Sequence, residues 1–121
     1  MLVKQIDLSP ADLKTTLESR SVVLVDVRKP AEFAAERIHG ALNFPLSTFD
    51  PRALGSLPVA QVVFQCGTGK RSGIAIERCA AVGLPIIRHL AGGIGAWKSS
   101  GLPVVSLDAG SGQVREGRVG P

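Results

Sequence analysis

Short runs of consecutive apolar residues constrain the fold of this chain most strongly. Two of them, at residues 22–25 and 62–64, have no polar side chain at alternate positions. A strand of this kind is buried on both faces, as in a parallel sheet that helices cover on both sides. Helical segments alternate with the runs, and the first begins at Ser9-Pro10 because serine caps a helix and proline fits its first turn. The alternation predicts an α/β fold with a largely parallel sheet and helices on both faces.

The predicted elements follow one another along most of the chain. The strands are expected at residues 3–6, 22–25, 40–45, 62–65 and 85–90, and the helices at residues 9–19, 30–37, 72–82 and 94–99. Residues 47–57 carry mixed turn and helix signals, so no boundary is predicted there. From Asp108 the chain becomes rich in glycine and small apolar residues. We therefore expect one domain over residues 1–107 and a disordered tail over residues 108–121.

Composition excludes several classes of function. The net charge of +4 is mild, and no basic run exceeds Lys70-Arg71, so nucleic acid is not an expected partner. No apolar run approaches the roughly 20 residues of a membrane span, and the N-terminus is too short and polar for a signal peptide. Two cysteines make no disulfide framework, so we expect a cytoplasmic protein. We expect a monomer or a weak homodimer, no cofactor and no membrane partner.

A cysteine stands at the turn between a predicted strand and a predicted helix. The segment Cys66-Gly67-Thr68-Gly69-Lys70-Arg71-Ser72, named here the cysteine loop, follows the strand at residues 62–65. Its two glycines let the backbone curl so that several N–H groups point at one place and form an anion-binding nest. The helix that follows adds the partial positive charge of its N-terminus, and Lys70 and Arg71 add two full charges. A thiol in this setting loses its proton easily, which predicts that Cys66 is a nucleophile.

The other candidate residues receive more modest predictions. Asp26 and Arg28 end a buried strand at the edge where parallel sheets bind ligands, and we expect them to support the cysteine loop, since a carboxylate beside a thiolate opposes its ionisation. Cys79 lies on the apolar helix face, about 12 Å along the helix from Arg71, and is expected in the core. His39 is expected to be a solvated loop residue. The cysteine and histidine spacing predicts no metal site.

Three groups of residues, in register along residues 3–106, resemble a rhodanese domain. They are Leu24-Val25-Asp26-Val27-Arg28 with Pro30, Glu32, Phe33, Ile38, Gly40, Ala41, Asn43 and Pro45; the cysteine loop; and Leu90-Ala91-Gly92-Gly93-Ile94 with Ala96, Trp97 and Gly101-Leu102-Pro103-Val104. The resemblance implies a five-stranded parallel α/β domain that moves sulfane sulfur through a cysteine persulfide. The family usually has His and Pro where this chain has Arg37 and His39, and neither position is catalytic.

Three functions compete at this stage. In the first, the Cys66 thiolate takes sulfur from an anionic donor, with thiosulfate favoured, and passes it to cyanide or a thiol, while residues 67–72 bind the substrate. The second is a cysteine phosphatase or arsenate reductase, but those enzymes typically place five residues between cysteine and arginine, and here four intervene. The third is a non-catalytic module or a sulfur carrier for a protein partner; non-catalytic modules usually lose the cysteine.

Overall fold

Strands and helices alternate through the computed structural model, which describes residues 4–108 and 110–117. In chain order they are β1 (Ile6–Leu8), α1 (Pro10–Glu18), β2 (Val23–Asp26), α2 (Pro30–Ala35), β3 (Glu36–Arg37), β4 (Leu42–Asn43), β5 (Val62–Gln65), α3 (Lys70–Ala81), β6 (Arg88–Leu90), α4 (Gly93–Ser99), β7 (Val104–Leu107) and β8 (Val114–Gly117). Five strands form one parallel sheet in the order β1-β6-β5-β2-β4. The predicted α/β fold with a five-stranded parallel sheet is thus confirmed.

The two central strands divide the apolar core between the two faces of the sheet. Val25 and Phe64 lie opposite each other in β2 and β5 and pack with Cys79 of α3 on one face. Their neighbours Leu24 and Val63 point to the other face, where α1 and α4 cover them. Each strand therefore needs apolar residues at consecutive positions, which explains the unbroken runs. No helix in the described part of the chain is long and apolar enough to cross a membrane.

Several element boundaries differ from the prediction. The first strand is Ile6–Leu8 rather than residues 3–6, and Val3 lies outside the described residues. The helix predicted over residues 30–37 ends at Ala35, because Glu36 is extended and pairs with β7. The strand predicted over residues 40–45 is confined to Leu42–Asn43. Short 3-10 turns over residues 46–48 and 51–56 occupy the segment for which no boundary was predicted.

A second, antiparallel sheet has the order β3-β7-β8 and includes part of the expected tail. Residues 110–117 are not the disordered segment that composition predicts, since β8 pairs with β7 over four residues. The side chains of β8 are all exposed, so its pairing relies on backbone hydrogen bonds that composition does not reveal. The tight turn is closed by the Gly112 N–H, which donates to the Asp108 carbonyl at 2.7 Å. Residues 109 and 118–121 lie outside the described residues, and the boundary at residue 107 stays a prediction.

Candidate active site

Cys66 lies at the carboxyl edge of the parallel sheet, directly after β5 and four residues before α3. Its side chain is fully buried, and its Sγ accepts a hydrogen bond from the N–H of Gly69 at 3.0 Å. The hydroxyl oxygen of Ser72 lies 3.7 Å from the same sulfur. The cysteine loop therefore wraps around the thiol, as the sequence predicts for a nest of N–H groups.

The surroundings of Cys66 favour its thiolate. Burial of the sulfur acts to raise the pKa of the thiol, but the N–H and hydroxyl of Ser72 and the N–H groups of Gly69 and Thr68 outweigh it, so the pKa lies below its usual value. Cys79 shows what burial does without such donors. It has no exposed surface, and burial raises the pKa of its thiol to about 11. The two cysteines therefore differ in the donors around their sulfur atoms.

The glycines of the cysteine loop have different tasks. Gly69 has a φ of +105° and precedes the first residue of α3, so it takes the left-handed turn that starts the helix. Gly67 leaves room for the Arg71 guanidinium, since a Cβ at position 67 would lie 3.1 Å from the Arg71 Nη2. The guanidinium of Arg71 thus lies across the loop.

The first residues of α4 hold the cysteine loop through backbone hydrogen bonds. The N–H groups of Ile94 and Gly95 donate to the carbonyls of Cys66 and Gly67 at 2.8 and 3.1 Å. Gly93, with a φ of +61°, lies so close that an added Cβ would be 2.2 Å from the Cys66 carbonyl oxygen. The sequence analysis does not predict this contact, because it joins residues that are far apart in the sequence.

Arg71 makes an ion pair that the sequence did not predict. Its Nη1 and Nη2 donate to Oε1 and Oε2 of Glu32 at 2.7 and 3.2 Å. Oε1 of Glu32 also accepts the N–H of Lys29 at the start of α2. The hydrogen bond from Arg71, above all, lowers the pKa of Glu32 to about 2, and the carboxylate in turn raises the pKa of Arg71. Glu32 lies 39 residues before Arg71 in the sequence. The sequence drew attention to Glu32 only because it belongs to the residues that resemble a rhodanese domain.

Lys70 and Thr68 are exposed at the rim of the loop. Among residues 4–108 and 110–117, no carboxylate lies within ion-pair distance of Lys70. The two cations of the loop therefore differ: one is exposed, and the other is held by a carboxylate.

Asp26 and Arg28 form a buried ion pair beside the loop. The Arg28 Nε and Nη2 donate to the Asp26 carboxylate at 2.9–3.2 Å, and both residues are almost fully buried. Arg28 Nη2 also donates to the carbonyl of Glu36, and the Asn43 amide donates to the carbonyls of Asp26 and Arg28. The pair fixes the segment from which α2 starts. Neither side chain of the pair bonds Cys66, so a supporting role for Asp26 and Arg28 stays a prediction.

The remaining candidates lie away from the cysteine loop. His39 is exposed, with its Nδ1 3.6 Å from the Glu116 carboxylate. Trp97 is buried and its Nε1 donates to the carbonyl of Pro103 at 2.8 Å, so it packs in the core. In the part of the chain that the structure describes, no three His, Cys, Asp or Glu side chains converge as metal ligands would.

Comparison with known proteins gives consistent matches. The family model "Rhodanese-like domain" matches residues 9–100. An uncharacterized protein of Synechocystis is 38% identical over 100 residues, which cover 83% of this chain but only 56% of that protein. A sulfurtransferase of Allochromatium vinosum is 35% identical over 106 residues, covering 87% of this chain and 97% of that protein. A crystal structure of a rhodanese-related protein from Thermoplasma volcanium aligns with a TM-score of 0.70 and 30% identity, over 85% and 98% of the two chains.

Replacing Gly93 tests the contact between α4 and the loop. We expect Gly93→Ala to lower the free energy of unfolding by roughly 3 kcal/mol or more, because the left-handed backbone and the Cys66 carbonyl both oppose a Cβ. Gly101→Ala is the matched control, since Gly101 also has a positive φ, +77°, but open space around it. It should cost only about 1–2 kcal/mol. Equal losses in urea unfolding would contradict this account of the contact.

The ionisation of Cys66 can be read without any reagent reaching the buried sulfur. We expect the ultraviolet absorbance of the thiolate, taken as the difference between the parent and Cys66→Ser, to rise with a midpoint below about 8.5. A lowered pKa also means that Cys66 stabilises the fold fully above its unfolded-state pKa, and that this contribution is lost as the pH falls through its folded-state pKa. A midpoint at or above about 8.5 would contradict the role assigned to the loop N–H groups.

Proposed function

This chain belongs to the rhodanese-like sulfurtransferase family, and on that premise we propose that it moves sulfane sulfur from an anionic donor, thiosulfate above all, through a persulfide on Cys66 to cyanide or a thiol. The observation that carries the proposal is the Cys66 sulfur itself, which is buried and bonded by the N–H of Gly69 within a loop that lowers its pKa. The buried Cys79 contrasts with it, since burial acts on its thiol without such donors and raises its pKa to about 11.

In the first step the Cys66 thiolate attacks the outer sulfur of thiosulfate. A bond forms between the Cys66 sulfur and the outer sulfur, and the sulfur–sulfur bond of thiosulfate breaks. Sulfite leaves with the electron pair of that bond, so three negative charges are present before and after the step. The terminal sulfur of the persulfide then carries the negative charge, and the loop N–H groups that face Cys66 stabilise it.

In the second step a nucleophile takes the terminal sulfur. Cyanide attacks it, the persulfide bond breaks, thiocyanate leaves, and the electron pair of that bond regenerates the Cys66 thiolate. A thiolate acceptor becomes a persulfide in the same way. The chemistry is therefore the same for an enzyme of small molecules and for a sulfur carrier that serves a protein thiol. Since nucleophile and leaving group supply every electron pair, the reaction needs no cofactor, and a reduced Cys66 fits a cytoplasmic location.

The donor reaches Cys66 only after a side chain moves. Cys66 has no exposed surface, and the Arg71 guanidinium lies across Gly67. We place the opening at Arg71, whose side chain is one-third exposed and, within residues 4–108 and 110–117, is bonded by Glu32. Once displaced, its forked donors match two oxygens of a sulfonate-like group, while Lys70 at the rim attracts anions from solution.

Mass spectrometry of the intact protein tests the persulfide directly. Incubation with thiosulfate should add the mass of one sulfur atom, and cyanide should remove it. Cys66→Ser should show neither change, because a hydroxyl forms no persulfide, and circular dichroism should confirm that it is folded. Cys79→Ser, at the other free cysteine, should behave like the parent. Sulfur added to Cys66→Ser, or no addition to the parent, would contradict the proposal.

Salt separates the roles of the two loop cations. Arg71→Ala should lower kcat/KM for thiosulfate by a factor that corresponds to about 2–3 kcal/mol of transition-state stabilisation. The reason is that the partly buried guanidinium, which can bond two oxygens of the anion, is lost. Lys70→Ala should cost less, and its effect should fade as ionic strength rises, since exposed charges are screened. The Arg71 effect should persist in high salt. Equal fading of both effects, or a preference of the parent for 3-mercaptopyruvate over thiosulfate, would contradict this assignment.

A further inference from the structure

A chain of hydrogen-bonding groups leads from the Cys66 sulfur to the far edge of the sheet. The Ser72 hydroxyl lies 3.7 Å from the Cys66 Sγ and 2.8 Å from the Nδ1 of His89. The Nε2 of His89 lies 2.7 Å from the Asp7 carboxylate. The loop, α3, β6 and β1 each supply one member. Neither His89 nor Asp7 has a part in the sulfur transfer described above.

The inner members of this series of hydrogen-bonding groups are buried, and the outer member is at the surface. Ser72 has no exposed surface and His89 is only 6% exposed, while Asp7 lies at the surface. Asp7 and His89 are direct neighbours in the pairing of β1 with β6, so the sheet itself sets their contact. A buried imidazole between a hydroxyl and a carboxylate has both ring nitrogens engaged.

The charged groups around His89 are few. Asp7 faces the ring from β1, and β5 presents Phe64 at the paired position. From the loop, Gly69 approaches the ring with its backbone, and from α3 only Ser72 bonds it. The adjacent Arg88 donates to the carbonyl of Ala60 instead. Among residues 4–108 and 110–117, the His89 ring therefore bonds Asp7 directly and reaches Cys66 through Ser72.

The donors and acceptors of Cys66, Ser72, His89 and Asp7 allow two arrangements of the protons between them. The Asp7 carboxylate only accepts, so the Nε2 of His89 carries a proton. With a neutral ring, Nδ1 accepts the Ser72 proton, and Ser72 Oγ accepts the thiol proton of Cys66, as the structure has it. With a protonated ring, Nδ1–H donates to Ser72, whose own proton is released toward the sulfur or the carbonyl of Gly69, 3.0 Å away.

We propose that Ser72, His89 and Asp7 form a proton relay that ionises Cys66. The thiol proton passes to Ser72 Oγ as the Ser72 proton passes to His89 Nδ1. The products are a Cys66 thiolate and a His89 imidazolium, with the number of protons unchanged, and the Asp7 carboxylate stabilises the imidazolium through Nε2–H. Ser72 touches the reacting sulfur, whereas His89 and Asp7 are positioning residues. The relay rests on the proposed function only in taking Cys66 as the nucleophile.

Thiolate absorbance against pH tests the relay with no sulfur donor present. His89→Asn keeps an amide near the position of Nδ1 but cannot take a proton. We expect it to raise the midpoint of Cys66 ionisation by about one pH unit, a tenfold loss of thiolate below the midpoint. His39→Asn, at the exposed histidine, is the matched control and should leave the midpoint unchanged. An unchanged midpoint in folded His89→Asn would overturn the relay.

Nitrogen NMR of the imidazole provides a second measurement that needs no variant at His89. At a pH where the Cys66 thiolate absorbs, the ring should carry a proton on both nitrogens in the parent and on Nε2 alone in Cys66→Ser, because the thiolate that accompanies the imidazolium is absent. The same ring state in both proteins would overturn the relay. Neither measurement involves sulfur transfer, so a failed relay with an intact persulfide leaves the proposed function standing, and the reverse result leaves the relay standing.

Discussion

Two backbone hydrogen bonds from the start of α4 determine how the cysteine loop lies around the Cys66 sulfur. They hold the carbonyls of Cys66 and Gly67, and with those carbonyls turned toward α4, the next N–H groups are available to the sulfur. The approach is close enough that no side chain fits at Gly93. The start of α4 thus shapes a loop that comes nearly thirty residues earlier in the sequence, and the nest of N–H groups depends on both.

A second set of contacts orients the same loop through charge. The buried Asp26–Arg28 pair fixes the end of β2, and α2 begins two residues later with the Lys29 N–H on Glu32. Glu32 then holds Arg71. Buried ion pairs contribute little stability on their own, because desolvation offsets their attraction, but breaking one is costly since a buried charge is left alone. The pair is better understood as a positioning device than as a source of stability.

Much of the fold and part of the site could be predicted because they depend on local sequence. Consecutive apolar residues specify strands buried on both faces, and glycines beside Cys66 specify a tight turn before a helix. The contacts of Glu32, His89 and Asp7 could not be predicted in this way, because they join distant parts of the sequence. Asp7 and His89 meet where β1 pairs with β6, and Glu32 of α2 meets Arg71 of α3. β8 escaped prediction for another reason: its pairing uses the backbone, and its side chains are exposed.

In the proposed mechanism, the ion pair between Glu32 and Arg71 also bears on which anions Arg71 binds. A carboxylate tethered to the same chain occupies the guanidinium at a high effective concentration, as a linked ligand does. Weakly bound monoanions such as chloride or acetate compete poorly with it, whereas an anion with two charges and several oxygens gains more from the same fork and from the nearby N–H groups. Under the proposed mechanism Glu32 would thus be a tethered competitor for the guanidinium, and the protein would discriminate among anions before any sulfur is transferred.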